Sequence, residues 1–377
     1  LKVPLQNKLL DGRSRFRYGF GYIQIVDCNR VVFLMTDTLF HKVLWITDLH
    51  FGRSGNSPVA SQDTLEFLDW AIERGRSWGA ETMIFGGDYF DNRNTIGVLT
   101  LNNALQGLEK INAAFKKTYV LVGNHDAPYR EKRDFSSVEI ARNLPNIELI
   151  RDPVTMGDVT FLPWLVGDEP KTVKNLKSRY VFGHLELANF KMNAAVVLPD
   201  SPHLLKADQF QNQEFIFSGH FHIRQQAGRV IYTGSGLCQN FSDNWDEDRG
   251  IMLLEWGRDP IFEAWADQPV YRTTTLSKLL DSPGSILKPK ATIRATMDVP
   301  LHYEEMQEIR DALQNEYGVR KFEIVPMVSA DESEQSFKDD RITFKSVDQM
   351  VIDGIMSVES ETISPAKLAE IYRSLAS

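Results

Sequence analysis

Five short apolar runs in this chain each end in a polar motif built from Gly, Asp, Asn and His. Val43-Leu44-Trp45-Ile46-Thr47 leads into Asp48-Leu49-His50, and Thr82-Met83-Ile84-Phe85 into Gly86-Gly87-Asp88-Tyr89-Phe90-Asp91-Asn92-Arg93. Residues 118–122 lead into Gly123-Asn124-His125-Asp126, residues 179–182 into Gly183-His184, and residues 214–217 into Ser218-Gly219-His220-Phe221-His222. Short β-rich apolar runs of this kind predict buried strands. Between the first three lie stretches with helical periodicity. One carries Leu65, Leu68 and Ile72 on one face, with Ser61 or Asp63 as its cap and Gly79 after its end; the other covers residues 99–115. Strand and helix alternating in this way predict an α/β unit on a parallel sheet. Ligands of such sheets gather outside the carboxyl ends of the strands. The five motifs are therefore the candidate site, and the glycine pair before Asp88 allows the sharp turn needed there.

The motifs offer two carboxylates (Asp48, Asp88), one amide oxygen (Asn124) and four imidazoles (His50, His184, His220, His222), with His125 in addition. Residues two apart in extended chain point the same way, so Asp48 with His50, and His220 with His222, can each reach one metal site. The chain has two cysteines, Cys28 and Cys238, which exclude a disulfide scaffold and a zinc–thiolate site and fit a reducing cytoplasm. Oxygen and imidazole ligation without sulfur suits Mn²⁺, Fe or Zn²⁺ better than Mg²⁺. Several roles stay open at this level. Asn124 and His125 also suit a turn with a helix cap. Asp91 is either a solvated loop carboxylate or the acceptor of a hydrogen bond from His125. Arg130, Lys132 and Arg133 either contact phosphates or form a solvated cluster with Glu131. His41, His203 and His302 lack the motif context and read as ordinary.

Beyond about residue 270 the pattern changes. Residues 286–297, 303–317 and 321–328 read as β-α-β, a small separate domain. Residues 329–345 are acidic and polar and read as a linker. Two short amphipathic helices follow within 346–377. Val347, Met350, Val351, Ile355 and Val358 line the first; Leu368, Ile371, Tyr372 and Leu375 line the second, with Ser364 as N-cap and Pro365 at N1. They either pack back on the parent domain or dock a partner. Residues 1–34 are basic and precede Met35; they read as a non-native or poorly ordered extension, or as a nucleic-acid-binding arm. The net charge of −9 argues against wrapping DNA by this chain alone. No apolar run approaches membrane-spanning length.

The order D-x-H, G-D, G-N-H-D, G-H, G-H-x-H resembles the calcineurin-like metallophosphoesterases. Gly183-His184-Leu185-Glu186-Leu187, Phe217 to His222 and Tyr232-Thr233-Gly234-Ser235 narrow the match to the SbcD-type (meiotic-recombination-type) nuclease subunits, in particular those of tailed phages. The resemblance covers about residues 40–265 by motif and the remainder by organisation only; residues 1–34 have no counterpart. It implies an αββα sandwich over 36–270, a β-α-β cap over 285–328 that binds DNA, the linker over 329–345, and a helix pair over 346–377 that docks an SbcC-like coiled-coil SMC-type ATPase. It implies two divalent ions, Mn²⁺ above all, with Asp48, His50 and His222 on the first, Asn124, His184 and His220 on the second, and Asp88 bridging. His125 stays off the metals as a general acid, with Asp91 as its partner. Family members carry either His or Asp at the Asp91 position. The implied activity is exonuclease and single-strand endonuclease cleavage of DNA in recombination and repair, by a homodimer in the cytoplasm of a bacterial or phage-infected cell. A phosphoprotein or nucleotide phosphatase, and a clamp that holds DNA without cutting, are the alternatives.

Overall fold

The computed structural model describes residues 38–193, 196–300, 303–326, 355–356 and 364–375, together with strands β1 (Arg15–Tyr18) and β2 (Gly21–Gln24), which pair antiparallel. Residues 1–325 form one compact unit and residues 326–377 a second. In the first unit the strands that follow are β3 (Lys42–Ile46), β4 (Thr82–Phe85), β5 (Lys117–Leu121), β6 (Ile147–Ile150), β7 (Val154–Met156), β8 (Val159–Leu162) and β9 (Tyr180–His184). Then come β10 (Phe215–Gly219), β11 (Gln225–Ala227), β12 (Val230–Tyr232), β13 (Gly250–Glu255), β14 (Ile261–Ala264), β15 (Tyr271–Thr275), β16 (Thr292–Met297) and β17 (Lys321–Pro326).

Two six-stranded sheets result, in the orders β14-β13-β3-β4-β5-β6 and β11-β12-β10-β9-β8-β7. Strands β3 to β6 are mutually parallel, as are β8, β9, β10 and β12; antiparallel strands flank both ends of the second sheet and the β3 side of the first, whose other edge is the parallel β6. Side chains alternate across each strand, and both faces are apolar. Val43 and Trp45 of β3, Ile84 of β4, and Tyr119 and Leu121 of β5 enter the core between the sheets, where they meet Tyr180, Phe182 and Phe217. Leu44, Ile46, Met83, Phe85 and Val120 face the other way, onto the helices Pro58–Trp78 and Val98–Ala114. This two-sided burial is why the runs read as continuously apolar. The outer face of the second sheet is covered by the 3₁₀ turn Glu169–Asn175 and by loops carrying Leu185, Phe190, Leu205 and Phe210.

The first long helix starts earlier than its apolar stripe suggests. Ser57 caps it, accepting from the amide of Ala60 at 3.3 Å, with Pro58 at the first position. Ser61 and Asp63 therefore lie inside it and are buried. Residues 243–249, which are rich in charge, fold around Arg249, whose side chain is fully buried. Its guanidinium meets Asp243 at 3.0 Å and Asp246 at 2.7 Å, and donates to the hydroxyl of Ser235 and the carbonyl of His222.

The third sheet, β15-β16-β17, carries the helix Tyr303–Tyr317. It recruits β15, which lies before the β-α-β pattern and pairs parallel to β16. In the second unit the helix Pro365–Leu375 is present. The linker 329–345, most of the preceding helix and most of 1–34 lie outside the described residues.

Breaking a buried, multiply paired charge leaves its partners uncompensated. Arg249→Met is expected to cost about 3 kcal/mol or more of unfolding free energy, measured by urea denaturation; a loss below about 1 kcal/mol would contradict this role.

Candidate metal centre

The parallel register brings the strand ends level. Ile46 pairs with Phe85 and Phe85 with Val120 in the first sheet, while His184 pairs with Gly219 in the second. The five motifs consequently emerge together. Asp48, His50 and His222 bring ligand atoms within 4.8 Å of one another, as do Asp88, His184 and His220. His50, Asp88 and His125 form a third such group.

Around the second group, His184 Nδ1 lies 2.8 Å from the carbonyl of Gly86 and donates to it. Its Nε2 is then aimed inward, 2.9 Å from Asn124 Oδ1 and 3.2 Å from Asp88 Oδ2. His220 Nδ1 approaches the same Asn124 oxygen at 2.8 Å. Around the first group, His222 Nε2 and His50 Nε2 stand 3.2 Å apart, and His50 Nε2 is 3.8 Å from Asp48 Oδ1 and 3.7 Å from Asp88 Oδ2. With its Nδ1 proton committed to Gly86, His184 Nε2 faces two oxygen acceptors, an arrangement that calls for a proton or a cation between them. The ligand atoms are nitrogen and oxygen without sulfur; Asp48, His50, Asp88, Asn124 and His184 are buried, and His220 and His222 half-buried. This donor set fits two divalent cations, with Asp88 reaching both groups.

The titrating groups show the same demand. Burial lowers the pKa of His50, but Asp48, Asp91 and Asp88 outweigh it and bring the group up to about 10. Burial also opposes protonation of His184, yet Asp88 and Asp48 raise it to about 9. Burial works against the ionised forms of Asp48 and Asp88 too, and the surrounding imidazoles nevertheless hold both below the usual carboxylate range. His222, buried beside His50, is pushed down to about 4.

The supporting contacts come from residues the motifs only partly reveal. Asp126 is fully buried. Its Oδ1 accepts from the amides of Tyr89 and Phe90 at 2.9 and 3.1 Å, and its Oδ2 from those of Asp88 and Gly123, both at 2.9 Å. Gln239 Nε2 donates to the carbonyl of Asp48 at 2.9 Å. Thr47 Oγ1 donates to Asp48 Oδ2 at 2.7 Å. A Cβ at Gly123 would lie 2.2 Å from Asp88 Oδ1, so a glycine is required where the two loops touch. Asp126 stood in the motif without a role; its place directly after Asn124-His125 was the available signal. Gln239 has no sequence signal.

Asp91 is the partner of His125, but through its main chain. Its carboxylate does not take the bond from His125. His125 Nδ1 lies 2.6 Å from the Asp91 main-chain carbonyl, while the carboxylate turns to His50 Nδ1 at 3.4 Å. The reason is the chain path, because the turn after Asp88 presents the carbonyl and the side chain in different directions. Burial lowers the His125 pKa, partly countered by Asp88. The three basic residues also separate. Arg133 is buried, with a fork on Glu169 at 2.6 and 2.7 Å, and is structural. Arg130 lies over the ring of Trp164 and within 3.5 Å of Glu186, and Lys132 is exposed.

Fold and site together define a metallophosphoesterase, with parallel-rich sheets in an αββα sandwich and a donor set for a dinuclear metal centre. The family model described as calcineurin-like phosphoesterase matches residues 41–244, and the chain belongs to that family. Exonuclease subunit 1 of Enterobacteria phage T4 is 25% identical over 223 residues, 57% of this chain and 64% of that protein. The chain thus matches less than two thirds of that relative's length. Among solved structures, a dimetal phosphatase from Danio rerio aligns at 11% identity and TM-score 0.39, over 60% of this chain and 96% of its own. The nuclease MPE of Pseudomonas putida aligns at 15% identity and TM-score 0.27, over 58% and 78%.

Without metal, the raised pKa values of His50 and His184 stabilise the fold fully below about pH 6.5, and that contribution is lost as pH rises through about 9 to 10. Metal needs the unprotonated rings, so Mn²⁺ loading at pH 7.5 is expected to release a proton from each. Calorimetry in buffers of differing ionisation enthalpy reads this directly; release near zero would contradict it. Asp126→Asn puts an amide against two N–H donors, so it should cost on the order of 3 kcal/mol of stability and lower bound metal on both sides. Full metal content in a folded D126N protein would refute that role.

Proposed function

We propose that this chain is the nuclease subunit of an SbcCD-like recombination and repair complex, a Mn²⁺-dependent DNA exonuclease and single-strand endonuclease. The observation that carries this reading is the approach of His125 to a doubly acidic, imidazole-rich cluster. Its amide donates to Asp88 Oδ1 at 2.7 Å and its ring lies 4.9 Å from that of His50. The similarity to a phage exonuclease subunit supports a phosphodiester rather than a phosphomonoester substrate.

In this reading Asp48, His50 and His222 would hold one ion, Asn124, His184 and His220 the other, and Asp88 would contribute to both. Such ions would supply charge neutralisation at the phosphate and a water acidic enough to serve as nucleophile. The chain supplies the rest. His125 keeps Nδ1 on the Asp91 carbonyl, which commits Nε2 to the leaving 3′ oxygen. An anionic phosphate beside the ring raises its pKa and favours the imidazolium, so Nε2 can donate the proton that the departing oxygen requires. The Asp91 carboxylate orients His50 rather than His125. The small third sheet serves as the DNA-binding cap. The helix pair of 346–377 docks the SMC-type ATPase, and the nuclease works as a homodimer.

The functional test compares single- and double-stranded DNA with a phosphomonoester in Mn²⁺. DNA cleavage is expected. Turnover of the monoester alone would make the chain a phosphatase, and DNA binding without cutting would make it a clamp. His125→Asn should lower cleavage by roughly 100-fold or more with metal content unchanged; unaltered cleavage would remove His125 from the reaction. Co-expression with an SMC-type ATPase should yield a complex for the full chain and none for a chain ending at Ser329. Equal complex formation by both would exclude docking through 346–377.

A further inference from the structure

A cavity of about 110 Å³ opens beside the metal centre and shares a wall with it. His184 belongs to both, and Glu186, which lines the cavity, stands 3.4 Å from His220 Nε2. Trp164, which also lines the cavity, has its ring 5.2 Å from that of His220 and 6.2 Å from that of His184. The remaining lining is largely apolar, with Leu185, Leu204 and Leu205 prominent, and its other polar group is His203, which the motif pattern left without a role. The walls are built rather than incidental. Trp164 Nε1 donates to the carbonyl of Arg130 at 2.8 Å, and the carbonyl of Leu205 accepts from the amide of Ala188 at 2.9 Å.

The lining chemistry specifies the occupant. Apolar walls with polar groups at the rim suit a flat group with apolar faces and a hydrogen-bonding edge. Glu186 Oε1 has only long contacts, 3.4 Å to His220 Nε2 and 3.5 Å to Arg130 Nη2, so its carboxylate keeps acceptor capacity for such an edge. A base within a duplex has both faces covered by its neighbours, whereas an unpaired base can leave the stack and enter a side pocket. Resting on the reading of this centre as a DNA nuclease site, we propose that the cavity between Trp164, Glu186 and Leu204 receives an unpaired nucleobase belonging to a nucleotide that adjoins the scissile phosphate. The pocket then selects where the backbone is cut by the base that can leave the stack.

The test uses the full chain loaded with Mn²⁺ and two probes, dAMP and 2-deoxyribose 5-phosphate. The nucleotide should bind about tenfold more tightly, the usual scale for one well-seated base. Leu204→Trp, which fills the cavity from a half-buried position, should abolish that difference while bound manganese stays constant. Equal affinities for the two probes in the unmodified protein would overturn the pocket. A second measurement needs no variant. A single abasic residue is moved along a single-stranded oligonucleotide, and one position next to the cut should lose about tenfold in kcat/KM. Uniform cleavage at every position would overturn the pocket and leave the nuclease reading standing. Failure to cut any oligonucleotide would overturn the nuclease reading, while the dAMP comparison still decides the pocket.

Discussion

The centre depends on one buried carboxylate. Asp126 gathers four main-chain N–H groups from two loops, those of Asp88, Tyr89, Phe90 and Gly123. Those loops leave the ends of β4 and β5, where the ladder stops and amides lose their partners. A buried amide without an acceptor is costly, and a single carboxylate with two oxygens satisfies all four. The arrangement carries its own opposition, because burial and the nearby Asp88 raise the Asp126 pKa to about 6. Cations bound beside Asp88 would offset that repulsion.

The same loops hold backbone strain. Asp48, His50, Asp88 and His220 all adopt left-handed φ values, 56°, 48°, 58° and 91°. For residues other than glycine each such conformation costs on the order of 1–3 kcal/mol. They persist because the loops fix one another. The amide of Asp48 donates to the carbonyl of Gly87 at 3.0 Å, that of His50 to the carbonyl of Asp88 at 3.1 Å, and that of His220 to the Asp48 carboxylate at 3.2 Å. Strain at four residues that converge on one site is what a preorganised ligand set costs, and the flanking sheets supply the rigidity that sustains it.

Much of this was legible in the residues. Apolar runs such as Val43 to Ile46 announce strands buried on two faces, and a polar motif at the end of each announces a shared site. What stayed illegible depends on direction rather than on spacing. Nothing in the order Asp88-Tyr89-Phe90-Asp91 says that the carbonyl of Asp91, and not its carboxylate, meets His125. A cluster such as Asp243 to Arg249 looks solvated because burial of a charge depends on partners far along the chain, here Ser235 and the carbonyl of His222. Gln239 is a polar residue in an unremarked turn until the fold brings it under Asp48. The helix start is hidden for a simpler reason: its first turn, Pro58-Val59-Ala60-Ser61, lies ahead of the Leu65-Leu68-Ile72 stripe, and the Ser57-Pro58 cap sets where the helix begins.

One of those misread residues explains how the small third sheet relates to the metal centre. Asp63, inside the first helix, takes a fork from Arg320 at 2.6 and 2.9 Å, and Arg320 directly precedes β17. On its other side Asp63 faces the buried Arg53 at 3.9 Å, and the amide of Arg53 donates to the carbonyl of His50 at 3.1 Å. The ion pair of Lys290 with Glu66 at 2.6 Å adds a second tie between the same helix and the segment before β16. Such partly buried pairs are a poor source of net stability, because desolvation takes back most of the attraction. Their geometric demand is strict, however. A fork on a buried carboxylate admits one orientation, so the third sheet is registered against the loop that carries His50. Any substrate held by that sheet is thereby held at a fixed offset from the ligand cluster.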